Sequence, residues 1–92
     1  MSDPVNRTLT IVNVKGLHAR ASAKLVELVE DFEAEAVVSK DGIDVTGDSI
    51  MGLLMLAAAW GTQIEVATSG ADAEALADAI EALVADKFGE ED

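Results

Sequence analysis

Hydrophobic and polar positions alternate along the chain with two periods. Thr8–Val14 (TLTIVNV) is rich in β-branched residues, and Leu9 and Ile11 fall on one side of it, which predicts a strand. Gly16 breaks that pattern. From Ala19 to Phe32 the period changes: Ala21, Leu25, Leu28, Val29 and Phe32 form one helical stripe, and Glu27, Glu30 and Asp31 lie outside it. Glu35–Lys40 and Ile43–Thr46 return to strand character. Asp41-Gly42 between them predicts a hairpin, because a type I′ turn needs positive φ at both central positions. Ser49 is placed to cap a short helix over Ile50–Ala57. Thr62–Thr68 predicts a fourth strand, with Ile64 and Val66 alternating against Glu65. In Asp72–Lys87 the residues Ala73, Leu76, Ala77, Ile80, Leu83 and Val84 make a second helical stripe. The acidic and glycine residues over 89–92 predict a frayed tail, as do residues 1–6 at the other end.

The resulting order, β-α-β-β-α-β-α, predicts one two-layer α/β (α+β) domain over residues 1–92, with helices on one face of the sheet and solvent on the other. Half of the 92 residues are hydrophobic, so a core can form without staples. The chain has no cysteine, which removes disulfides, thiolate metal sites and cysteine nucleophiles together. The longest apolar stretch, Ile50–Trp60, spans eleven residues. A membrane span needs about 20. No signal peptide is read at the start, so a soluble, cytoplasmic monomer is expected. Trp60, the single tryptophan, is assigned to packing.

Charge narrows the function. Six basic residues face eighteen acidic ones, for a net charge of −12, which repels nucleic acid and anionic lipid. Yet between Asp3 and Glu27 there is no acid, and that window holds Arg7, Lys15, Arg20 and Lys24, four of the six basic residues. The only histidine, His18, lies inside it, between the end of a strand and the start of a helix. Amides at a helix start have no intrahelical acceptor, so those of Ala19 and Arg20 can receive an anion. The Arg20 guanidinium can add a fork of donors to phosphoryl oxygens. A neutral imidazole near pH 7 is a competent nucleophile for such a group. No metal site and no cofactor is read from the sequence.

Gly16-Leu17-His18-Ala19-Arg20-Ala21-Ser22-Ala23 resembles the active-site segment of the HPr family, the histidine-containing phosphocarriers of the bacterial phosphotransferase system. Gly47-Asp48-Ser49-Ile50-Met51-Gly52-Leu53-Leu54 resembles that family's second motif, built round a regulatory serine. The resemblance implies an open-faced β-sandwich with an antiparallel sheet in the order 1-4-2-3. It implies phosphorylation of His18 on Nδ1 by enzyme I, with phosphoenolpyruvate as the source, and transfer to an EIIA protein. Arg20 matches the active-site arginine, and Ser49 the site of HPr kinase/phosphorylase. Ala21 stands where many sugar-transport members carry proline. In this the chain is similar to the regulatory, nitrogen-related branch. A carrier of this kind forms a phosphohistidine intermediate and is transferase-like without being a free-standing enzyme.

Ile50, Met51 and Leu54 belong to a run that is apolar at nearly every position, more than one buried stripe requires, and are read as a docking surface for partners. The competing reading is a non-catalytic regulatory or ligand-binding α/β module in which His18 is incidental. It leaves the basic island and the second motif unexplained.

Overall fold

The structure, a computed structural model, describes residues 3–91. Its elements are β1 (Val5–Thr10), α1 (Ala19–Glu30), β2 (Glu35–Lys40), β3 (Ile43–Thr46), α2 (Ile50–Met55), β4 (Gln63–Ser69), α3 (Ala73–Ala85) and a 3₁₀ turn over Lys87–Gly89. The four strands form one antiparallel sheet in the order β1-β4-β2-β3, as the resemblance implied. Side chains alternate across it. Leu9, Ala36, Val38, Ile64 and Val66 are buried under the helices, whereas Thr8, Val37, Gln63 and Glu65 face out. Leu25, Leu53, Leu76 and Ile80 bring the helices onto the same core, all fully buried.

The boundaries move for local reasons. β1 begins at Val5, earlier than the β-branched run suggested, because β4 extends far enough to pair Thr68 with Val5 and Ala67 with Asn6. The expected fraying over 1–6 therefore stops short of Val5, and Met1 and Ser2 lie outside the described residues. β1 ends at Thr10, and Ile11 is then held by Thr62 and Gly61 through backbone hydrogen bonds of 2.8 Å each. In the β2–β3 hairpin Asp41 and Gly42 have φ of 52° and 82°, the positive pair the turn requires. On α1 the buried stripe includes Ser22 and Val26, while Leu28, and Phe32 just beyond the helix end at Glu30, are only partly covered.

Two expectations fail. Trp60 is 65% exposed and packs into no core. Its loop stays at the surface because its polar groups pair locally, Thr62 donating to the Ala59 carbonyl from both N–H (3.1 Å) and Oγ1 (2.7 Å). The second concerns the chain after α3. The helix stops at Ala85, and Lys87, Phe88 and Gly89 take φ of 58°, 56° and 79° in succession. This reversal drives Phe88 into the core at 1% exposure and carries Glu90 across the molecule. The expected loose tail is thus structured through Glu90, while Asp92 lies outside the described residues.

Candidate functional site

The loop between β1 and α1 is built to present one ring. Asn13, fully buried, donates from Nδ2 to the Gly16 carbonyl at 2.8 Å, and the Gly16 N–H returns to the Asn13 carbonyl at 3.1 Å. Gly16 has φ of +70°, and a Cβ there would meet the Ala58 carbonyl oxygen at 2.5 Å. Conformation and space both require glycine. Leu17, buried, then donates its N–H to Ala58 at 2.9 Å, which ties the loop to the segment following α2. With Leu17 pointing in, the next residue, His18, points out.

His18 is the N-cap of α1, with extended backbone (φ −79°, ψ −177°) and no capping bond from its side chain. Its carbonyl accepts the Ser22 N–H at 2.8 Å, the first bond of the helix. The amides of Ala19, Arg20 and Ala21 lie ahead of that bond and have no intrahelical acceptor. The first turn carries no acid. Lys15, His18, Ala19, Arg20 and Glu90 together line a shallow open depression. The basic residues divide between roles. Lys15 and Arg20 stay exposed at this depression without an ion-pair partner among the described residues. Lys24 donates to the Phe88 carbonyl at 2.6 Å, and Arg7 leaves the site altogether to bind Asp78 and Glu81 on α3 at 2.9 and 2.7 Å.

The residue that the sequence reading missed is Glu90. One carboxylate oxygen takes Nε2 of His18, and the other accepts from Asn13 Nδ2 at 3.1 Å. The hydrogen bond with His18 holds the Glu90 carboxyl below its usual range. Desolvation opposes this, and Asn13 and the charges of His18 and Lys15 reinforce it. Nδ1 of His18 has no hydrogen-bond partner among the described residues, so a lone pair on it is free to attack an electrophile. Among the described residues no cluster of three potential metal ligands forms.

Ser49 caps α2, its Oγ accepting from the Gly52 N–H at 3.0 Å. Behind it, Leu53 and Leu56 are buried while Ile50, Met51 and Leu54 are exposed, Met51 at 73%. Met55 joins them in solvent. A surface concavity of about 660 Å³ lies elsewhere, on the solvent face of the sheet between Thr8, Ser39, Asp44 and Glu65. It brings a single cation, Lys40, beside Asp41, Asp44 and Glu65, and no cluster of cations.

An open-faced sandwich that shows one imidazole at a helix start, beside two exposed cations without an ion-pair partner among the described residues, defines a small protein whose candidate site is an open surface depression. The chain belongs to the HPr phosphocarrier family: the family model for the PTS HPr component phosphorylation site matches residues 5–86. It is similar to the phosphocarrier protein HPr of Cupriavidus necator, with 45% identity over 86 residues, covering 94% of this chain and 97% of that protein. It is similar also to the phosphocarrier protein NPr of Shewanella violacea, 43% identical over 86 residues and covering 94% of each. Among solved structures, an HPr from Thermoanaerobacter tengcongensis superposes with a TM-score of 0.90 at 36% identity, covering 95% of this chain and 98% of the other. No helix among the described residues is long and apolar enough to cross a membrane.

Proposed function

We propose that this protein accepts a phosphoryl group on His18 from enzyme I in the cytoplasm and passes it to an EIIA protein. The single observation that carries the reading is His18 itself, an N-cap imidazole beside Arg20 and the first amides of α1, with neither Nδ1 nor the guanidinium partnered among the described residues. A phosphoryl group bonded to Nδ1 would lie next to the Ala19 and Arg20 N–H groups, where the helix dipole favours negative charge. Arg20 would neutralise part of that charge during transfer.

Ile50, Met51 and Leu54 support docking. They are exposed apolar side chains on a short helix, and the chain leaving that helix contacts the His18 loop through Ala58 and Leu17. An exposed apolar cluster on a strongly acidic protein suits partners with apolar or basic patches. Ser49 at the start of the same helix is the proposed regulatory phosphorylation site. The Ala21-Ser22 form of the first motif and the likeness to an NPr favour a regulatory, nitrogen-related circuit.

The test is incubation with enzyme I and labelled phosphoenolpyruvate. The wild-type chain should acquire acid-labile phosphate, and His18→Ala should acquire none while keeping its circular dichroism spectrum. Label persisting on the folded mutant would remove His18 from the role. An unlabelled wild type would favour the incidental-histidine reading.

A further inference from the structure

The carboxylate on His18 comes from the far end of the chain, 72 residues away. Its delivery is not a chance surface contact. Two left-handed non-glycine residues in succession, Lys87 and Phe88, are unfavourable for L side chains. Such a path persists only if it is anchored. Burial of the Phe88 ring, 1% exposed, is one anchor. The charge-assisted bond from Lys24 to the Phe88 carbonyl is the other. Those two anchors precede Glu90 and hold its backbone next to the ring. Asn13 then fixes the carboxylate by its second oxygen.

We propose that Glu90 is a positioning residue for phosphoryl transfer: it holds His18 in the Nε2–H tautomer, leaves Nδ1 as the nucleophile, and balances the positive charge that the ring gains on reaction. The inference rests on His18 being the carrier residue. An ionised carboxylate can only accept, so the nitrogen facing it carries the proton, and a neutral ring has one proton to give. In the forward step the Nδ1 lone pair forms the bond to phosphorus. The bond from phosphorus to the atom that carries it on the donor breaks, and its electron pair stays with that donor. The Nε2 proton remains on the ring, which becomes a phosphoimidazolium facing the Glu90 carboxylate. Onward transfer reverses this: a nucleophile of the acceptor protein forms the new bond to phosphorus, and the Nδ1–P electron pair returns to Nδ1 and restores the neutral Nε2–H ring. Glu90 never touches the phosphoryl group. Its part is that of the carboxylate in a Ser-His-Asp arrangement, which orients a histidine and stabilises its cation.

Two substitutions separate orientation from charge. Glu90→Gln keeps an acceptor for Nε2–H and loses the charge, and Glu90→Ala loses both. Nitrogen-15 spectra of the imidazole, recorded on unphosphorylated protein at mildly alkaline pH, read the tautomer. Labelling by enzyme I reads the rate. The wild type and Glu90→Gln should show a protonated Nε2 with its proton protected from exchange. Glu90→Ala should lose that protection and populate the Nδ1–H form. Labelling should be about tenfold slower in Glu90→Ala and less affected in Glu90→Gln. A Glu90→Ala imidazole spectrum matching wild type, or wild-type labelling kinetics in that variant, would overturn the proposal. Because the spectra need no phosphate, they decide the Glu90 contact even if enzyme I fails to label the wild type, which would instead refute the carrier reading.

Discussion

Arg20 sits one residue into α1, exposed and without an ion pair among the described residues. Its side chain spends nothing on the fold, so Arg20→Ala should melt as wild type, within about 0.5 kcal/mol. Labelling of His18 should slow by about ten- to a hundredfold, as expected when a donor aimed at developing charge is removed. A time course with limiting enzyme I checks this, and an unchanged rate would mean that the backbone amides suffice. At this scale the sequence marked His18 and Arg20 as candidates because they share one short motif, and the structure brings both to one depression. It concealed Glu90, whose partner is 72 positions away. Four consecutive glycine and acidic residues read as solvated tail, and the one signal to the contrary was Phe88, an aromatic residue set just before them. The window free of acids was likewise only half informative. The fold closes it with Glu90 and removes Arg7 to α3.

Helices and strands were legible where their pattern was local. The β2–β3 hairpin has the bounds its sequence predicts, since Asp41-Gly42 fixes the turn without help from elsewhere. The limits of β1 depend instead on how far β4 runs beside it, and the end of α3 depends on Phe88 finding the core; neither is a property of a short window. α2 is an intermediate case, capped by its own serine yet left with an apolar surface that its single buried stripe cannot use. Aspartate is as good an N-cap as serine, so Ser49→Asp should keep the melting temperature. Its negative charge should fall on the docking surface and weaken binding to enzyme I by about 1 kcal/mol, roughly fivefold. Titration calorimetry on the two forms measures this, and equal affinities would leave Ser49 a cap and no more.

Over the whole molecule, self-repulsion outweighs pairing. Three carboxylates, on Asp41, Asp78 and Glu81, lie in ion pairs with lysine or arginine among the described residues, and Glu90 is hydrogen-bonded to His18, against eighteen acids in the chain. Salt should therefore stabilise the protein. The screening length falls from about 30 Å at 0.01 M to about 3 Å at 1 M, which removes long-range repulsion first. The melting temperature should rise across that range of sodium chloride, and a fall would show that the Arg7 and Lys40 pairs matter more than net charge. The same sheet order that buries the core has a consequence for synthesis. β4 sits between β1 and β2, and β1 has no other strand beside it. On a ribosome β1 is the first strand made, and its neighbour is the last. The β2–β3 hairpin can close soon after translation passes it, but β1 must wait, unpaired, until residues 63–69 have left the exit tunnel. The strand that carries the chain into the His18 loop is thus the last to dock, and the nascent protein has no assembled site until nearly all of it has been translated.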